Sequence, residues 1–138
     1  MIRATYRGFG LSMRRYAAAL TRRDALTAAM ERFLAAWDAW LCPVTSGPAF
    51  THRPTSYFRG QRIEVDEENI PYWLATLAYP SIFNVTGNPV VVLPLSRSKE
   101  GVPIGVQVVG RRWRDMELLA AAEQLSKVTG TFSRPAGY

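Results

Sequence analysis

Two short apolar stretches constrain the fold of this chain more than any other feature. VVVLPL at residues 90–95 is almost wholly apolar, and in IGVQVVG at residues 104–110 the only polar interior side chain is that of Gln107. The polar segment SRSKEG begins the connection between them. Runs of this length and apolarity are typical of strands that are buried on both faces. The sequence therefore predicts two strands of one sheet, near residues 90–95 and 103–109.

A third strand is predicted near residues 39–42, because AWLCPVT is a short apolar run that is interrupted by Pro43 and followed by a Ser-Gly-Pro turn. From there to Asp66 the chain has no sustained period and is predicted to be irregular. A loop of this length in a compact domain is usually functional or mobile, and we expect it over a pocket mouth or across a neighbouring surface.

A long helix is predicted near residues 12–37, where alanine, leucine and arginine dominate. The spacing of apolar residues falters at Arg23, which leaves open a division into two helices near Thr21. Beyond that point four apolar side chains recur at helical spacing and are expected to pack on the core: Leu26, Met30, Phe33 and Trp37.

A second helix is predicted near residues 71–86, since Pro71 suits a first turn and Gly87 suits a C-cap. Pro80 lies inside this helix and is expected to kink or split it. Four acidic residues crowd together just before it: Glu64, Asp66, Glu67 and Glu68. Complementation of the helix dipole is the favoured interpretation of this acidic cluster, and acid–base or metal chemistry is the alternative.

A third helix is predicted near residues 115–129, with Asp115 as its cap and Gly130 just beyond its end. Helices around a small mixed or antiparallel sheet place the chain in the α/β class. No repeat, low-complexity tract or linker divides the sequence. Residues 1–138 are therefore predicted to form a single domain.

The charge of the chain is unevenly distributed. Residues 1–62 hold ten arginines against three acidic residues, whereas the remainder holds seven basic and eight acidic residues. A basic half is compatible with nucleic acid, but the signatures of the common nucleic-acid modules are absent. A solvated helix face or a surface that meets another protein is the favoured interpretation.

The sequence offers little to a metal, a cofactor or a self-sufficient nucleophile. One cysteine and one histidine exclude a multi-cysteine zinc site, and Gly105 and Gly110 do not form a phosphate-binding loop. Cys42 and His52 are a conceivable dyad without an evident orienting partner, and a small core residue is the favoured interpretation of this cysteine. We therefore expect no metal and no cofactor.

Three segments together resemble one enzyme family. WDAWLCPVTSGPA, FNVTGNPVVVLPL and GVPIGVQVVGRRWRDMELLAAAEQL occur in this order, and the series resembles the C-terminal third of amidase-signature enzymes. The likeness runs from about Ser12 to Gly130. It implies a fragment of a larger fold, in which the predicted strands belong to a mixed sheet beside a substrate pocket.

The resemblance also implies a chemistry whose residues lie elsewhere. Members of the family hydrolyse carboxylic amides through an acyl-enzyme, using a serine nucleophile, a second serine in a cis peptide and a lysine base. All three lie upstream of the matched region, and the Gly-Ser-rich signature is absent from this sequence. Its only lysines, Lys99 and Lys127, match a loop and a helix end. We therefore predict no catalytic residue in this chain.

The resemblance implies pocket-lining roles for Tyr79, Phe83 and Trp113, with ordinary core packing as the favoured alternative. The expected partners are the missing N-terminal portion of the enzyme or a second copy of the chain, and a small amide only in the complete enzyme. The start MIRATYRGFG lacks the features of a signal peptide, and no apolar run is long enough for a membrane span, so a cytoplasmic protein is expected. The alternative function is a non-catalytic module that binds an acidic partner through its arginine-rich half.

Overall fold

The structure is a computed structural model that describes residues 2–50, 60–130, 132 and 134. Four helices and five strands follow one another along these parts of the chain. They are α1 (Ile2–Phe9), α2 (Met13–Leu34), β1 (Trp40–Pro43), β2 (Arg62–Val65), β3 (Glu68–Pro71), α3 (Tyr72–Thr86), β4 (Val90–Arg97), β5 (Pro103–Val109) and α4 (Asp115–Thr129).

The main sheet has three antiparallel strands in the order β1-β5-β4, which confirms the three predicted strands. The central strand β5 ends in Gln107, Val108 and Val109, all buried. Pro94 lies in β4, an outer strand of this sheet. Proline is tolerated in an outer strand because such a strand has a neighbour on one side only, so the N–H that proline lacks is not needed on the other side. The α/β class and the antiparallel sheet are confirmed.

A small core joins this sheet to two helices. Cys42, Phe83 and Val109 form a buried cluster, and Met30, Trp40, Ile82 and Val90 pack against it. The Trp40 ring meets Phe33 edge-to-face at 5.2 Å and Phe83 at 5.7 Å between centroids. Aromatic rings favour this geometry because the positive edge of one ring meets the negative face of the other.

Helix α2 runs through Thr21 without a break, so the first predicted helix is one helix. Of the predicted stripe, Met30 packs on the core as expected, but the other three side chains remain exposed. The buried side chains of α2 are Thr27 and Leu34, whereas Leu26 remains 49% exposed and Phe33 is also half-exposed. Thr27 tolerates burial because its Oγ1 donates to the Arg23 carbonyl at 2.9 Å.

The segment before α3 is a second, two-stranded sheet, and the prediction of an irregular chain up to Asp66 was wrong there. Strands β2 and β3 pair antiparallel, with Asp66 and Glu67 as the turn. Both turn residues have positive φ, at 49° and 68°, as a two-residue hairpin turn of type I′ requires. The acidic cluster therefore belongs to a hairpin, and no acidic residue lies in the first turn of α3. Residues 51–59 of the predicted loop lie outside the described residues.

Helix α3 extends from Tyr72 to Thr86 across Pro80 without being split. Gly87 ends it in the left-handed conformation, with φ of 74° and its N–H donating to the Phe83 carbonyl, which confirms the predicted C-cap. Helix α4 is also confirmed, but Asp115 is its first helical residue rather than its cap. The N-cap position is taken by Arg114, whose side chain makes no capping bond.

Candidate functional site

A cluster of buried polar groups lies where the turn after α3 meets the loop after β5. The Nδ2 of Asn88 donates to the Gly110 carbonyl at 2.9 Å and to Glu31 Oε1 at 2.9 Å. The same Glu31 oxygen accepts the backbone N–H of Arg112 at 3.2 Å. The Gly110 N–H donates to the Pro89 carbonyl at 3.0 Å. Helix α2 and the two turns are thus held together by hydrogen bonds between residues far apart in the sequence.

Trp113 lies in the loop that this group holds. Its side chain is 84% exposed, and its φ is 63°, a left-handed conformation that a bulky residue rarely adopts. The Arg112 guanidinium lies over the Trp113 ring, 5.4 Å from its centroid, in the geometry of a cation–π contact. An exposed aromatic side chain on a strained backbone is a mark of functional sites.

The other two predicted pocket residues lie on α3, one helical turn apart. Phe83 is only 4% exposed and belongs to the core cluster, in agreement with the core-packing alternative. Tyr79 remains partly exposed on the preceding turn. Trp113 lies on a different element from both. A role of these three residues in binding substrate stays a prediction.

A broad groove of about 760 Å³ lies elsewhere, between the turn that joins α2 to β1 and the first three turns of α4. It is lined by Leu41, Leu118 and Leu125 and by the ion-paired side chains of Arg114 and Glu117. None of the three predicted pocket residues lines it. The groove was not foreseen, because it is formed by a turn and a helix that are about 80 residues apart in the sequence.

Cys42 is buried in β1 opposite Gln107 of β5. The Gln107 Nε2 donates to the Pro43 carbonyl at 2.7 Å and lies 3.6 Å from the Cys42 sulfur. Burial raises the pKa of the Cys42 thiol above its ordinary value, and the Gln107 hydrogen bond opposes this only in part. The thiol is therefore held in its protonated, weakly nucleophilic form. His52, the other member of the conceivable dyad, lies outside the described residues.

We expect Cys42 to react slowly with iodoacetamide in the folded protein at about pH 8, because alkylation requires the thiolate. The rate should still be increasing above pH 9.0, the ordinary pKa of the thiol, because the thiolate fraction grows until the pH passes the raised pKa. Since the pKa is raised in the folded state, the unfolded state loses its proton first, and the free energy of unfolding should fall above that pH. Protein unfolded in urea is the control and should react fast. Rapid alkylation of the folded protein near pH 7 would contradict the buried environment.

The described residues contain no serine–lysine hydrogen bond. Lys99 lies in the turn between β4 and β5, and Lys127 lies near the end of α4, where its Nζ donates to Gln124 Oε1 at 3.0 Å. Within the same residues, no three His, Cys, Asp or Glu side chains lie close enough together to hold a metal ion.

The family model for amidases matches residues 4–119 of the chain. A solved amidase has the same fold over 93% of this chain, with 28% sequence identity and a TM-score of 0.76. The chain therefore belongs to the amidase family, whose members are hydrolases.

Two sequence relatives illustrate how the similarity is distributed. The chain is similar to a subunit of the glutamyl-tRNA(Gln) amidotransferase of Dinoroseobacter shibae, with 31% identity over 105 residues, which cover 76% of this chain and 19% of the relative. It is also similar to fatty-acid amide hydrolase 2-A of Danio rerio, with 43% identity over 58 residues, which cover 42% of this chain and 11% of the relative. The match covers 28% of the solved amidase. The chain thus spans less than a third of each of these proteins.

No helix among residues 2–50 and 60–130 combines the length and the apolarity that crossing a bilayer requires.

Proposed function

We propose that this chain is the C-terminal part of an amidase that uses serine, a cis-peptide serine and lysine, and that it supplies scaffold and part of the pocket but no catalytic residue. One observation carries the proposal. The family match extends over residues 4–119, yet neither of the two lysines forms a hydrogen bond with a serine among the described residues. In the complete enzyme, the lysine would remove the serine proton through the bridging serine, and the resulting acyl-enzyme would be hydrolysed. The substrate would be a small carboxylic amide.

The pocket contribution of the chain rests on exposed aromatic surface. Trp113 and Tyr79 offer rings for contact with the apolar part of an amide, whereas Phe83 lies in the core cluster. Aromatic side chains suit such a role because each buries a large apolar area with few rotatable bonds.

The partner proposed for this chain is the preceding, catalytic part of the same fold. Helix α3 contains no charged residue, and Trp73, Leu77 and Val85 remain exposed on it, Trp73 by 62%. A helix that is apolar on all sides is normally the interior of a larger protein. The outer strands β1 and β4 leave backbone groups for further pairing. Association of two copies through the same surfaces is the competing outcome.

The proposal is tested by a chimera. The catalytic part of the solved amidase is fused to this chain in place of its own matched segment, and hydrolysis of p-nitroacetanilide is measured. We expect turnover by the chimera and none by the isolated chain, since an attacking serine is present only in the former. The amidase lacking its matched segment is the control and should be inactive.

A folded chimera without turnover, or turnover by the purified chain alone, would contradict the proposed function. The association is measured separately by sedimentation of the isolated chain. Replacing Trp73 and Leu77 by serine should weaken self-association, whereas serine at two exposed alanines of α2, Ala28 and Ala29, should not. If the isolated chain without substitutions sediments as a stable monomer, this result argues against exposed docking surfaces.

The alternative is a non-catalytic module that binds an acidic partner. The arginines of α2 are all exposed, and only the Arg23 side chain forms an ion pair there, with Asp24 at 3.2 Å. Binding to a polyanion such as heparin should then fall steeply with salt, and replacement of Arg15 and Arg22 by glutamine should reduce the salt dependence. Absence of binding at low salt would remove this alternative.

A further inference from the structure

We infer that Glu31 is a positioning residue that fixes the loop after β5, and with it the exposed ring of Trp113. The functional meaning of this inference rests on the proposed function, in which the Trp113 ring contacts the apolar part of an amide substrate. The structural part rests on the hydrogen bonds of the loop alone.

The carboxylate of Glu31 joins two turns through a single oxygen. Oε1 accepts from Asn88 Nδ2 at 2.9 Å and from the Arg112 backbone N–H at 3.2 Å. Hydrogen bonds to an ionised acceptor are stronger than bonds between neutral groups. Glu31 lies one turn before the end of the 22-residue helix α2, so the acceptor is presented from a regular element rather than from a loop.

The bond to Arg112 acts next to the strained residue. Trp113 has φ of 63°, and a backbone in this region persists only where its surroundings hold it. Glu31 fixes the peptide N–H of the residue before Trp113, and the Arg114 N–H donates to the Arg111 carbonyl at 3.2 Å from the other side.

The Arg112 side chain completes the link between the two turns. Its Nε lies 3.5 Å from the position that a Cβ on Gly87 would occupy, and its guanidinium covers the Trp113 ring. The backbone of Arg112 must therefore stay in place for its side chain to lie between Gly87 and Trp113. Loss of the Glu31 acceptor releases that backbone, whereas the separate bond between Asn88 and Gly110 remains.

The test is fluorine NMR of the chain labelled with 5-fluorotryptophan, which reports on its four tryptophans. The Trp113 signal is assigned by its loss in Trp113→Phe. We expect Glu31→Ala to shift or broaden this signal and to leave that of Trp73 unchanged. Glu31→Gln should keep the signal in place, because the amide oxygen still accepts. Glu123→Ala, which removes an exposed carboxylate from α4, is the matched control and should have no effect.

An unchanged Trp113 signal in folded Glu31→Ala overturns the inference. If that variant does not fold, Glu31→Asp is used instead, because its side chain is one methylene shorter and its carboxylate lies farther from the loop. The fluorine signal of Trp113 must then shift or broaden in Glu31→Asp. Collapse of all four signals in both variants assigns Glu31 to general stability and also overturns it. In the active chimera, Glu31→Ala should raise KM about tenfold with kcat nearly unchanged. An inactive chimera contradicts the proposed function, while the NMR result still decides the role of Glu31.

Discussion

Replacement of Leu34 by alanine is expected to lower the free energy of unfolding by about 2–5 kcal/mol. Leu34 has no exposed surface and ends helix α2, where that helix turns toward the sheet. Truncation removes buried methyl groups and leaves a cavity, and both effects lower stability. Small domains are stable by only about 5–15 kcal/mol in total. The loss is measured by urea unfolding followed by circular dichroism.

Leu26→Ala is the matched control, because it is the same substitution in the same helix at a side chain that is 49% exposed. We expect it to cost less than about 1 kcal/mol, in line with partial burial. Equal shifts of the unfolding midpoint for the two variants would contradict the buried face assigned to α2.

The second large effect is expected from Gly110→Ala, which should lower the free energy of unfolding by about 1–3 kcal/mol. A Cβ at this position would lie 3.0 Å from Leu118 Cβ and 3.2 Å from one of its methyl carbons. Leu118 is buried in α4, and its Cβ cannot be moved by rotating the side chain. The helix itself would have to shift away from the end of β5.

Gly47→Ala is the control for this experiment, since a Cβ there meets nothing within 4 Å. A change within about 0.5 kcal/mol is expected for such an unobstructed surface position. The two glycine variants are compared by thermal unfolding under the same conditions. A Gly110→Ala protein as stable as the Gly47→Ala protein would show that α4 is not packed closely on the sheet.

The elements that could be predicted from the sequence are those whose signals are local. VVVLPL is apolar over its full length and IGVQVVG is apolar except at Gln107, and Gly87 and Gly130 stand just beyond helices. Each of these signals depends on residues within one element or its ends, so no knowledge of the partner element is required. The three strands of the main sheet and the helices α3 and α4 follow from such signals.

The hairpin of β2 and β3 could not be predicted in the same way. Its turn is formed by Asp66 and Glu67 rather than by the Asn-Gly or Asp-Gly pairs that mark type I′ turns. Four carboxylates close to Pro71 also fit the start of a helix, and that interpretation needs no pairing partner. Only the pairing of Ile63 with Ile70 across the turn reveals the strands.

The buried face of α2 depends on elements that come later in the chain. Successive helical residues point about 100° apart, so Leu26 and Thr27 lie on different sides although they are adjacent. The sequence favoured the face with the larger apolar side chains. In the structure the face toward the core keeps Met30 from that stripe, but its buried side chains are Thr27, whose hydroxyl is satisfied within the helix, and Leu34.

The polar group at Glu31 was missed for a related reason. Glu31 and Asn88 are 57 residues apart, and Glu31 and Arg112 are 81 residues apart. A glutamate on a helix with many exposed charges gives no local sign of a buried partner. Asn88 precedes a proline, which favours extended geometry at this position, but the partners of its side chain are set by the fold.

The strand order of the main sheet has a consequence for synthesis of the chain. The central strand is the last to be made, and both outer strands, from residues 40 and 90 onward, find their only described neighbour in it. Until residue 109 has left the ribosome, β1 and β4 lack the strand that both of them join in the described sheet. Strand β1 therefore stays unpaired from residue 43 until β5 has been made, whereas β4 waits only for residues 98–109. The long wait of β1 is where a holdase chaperone would have the greatest effect on yield.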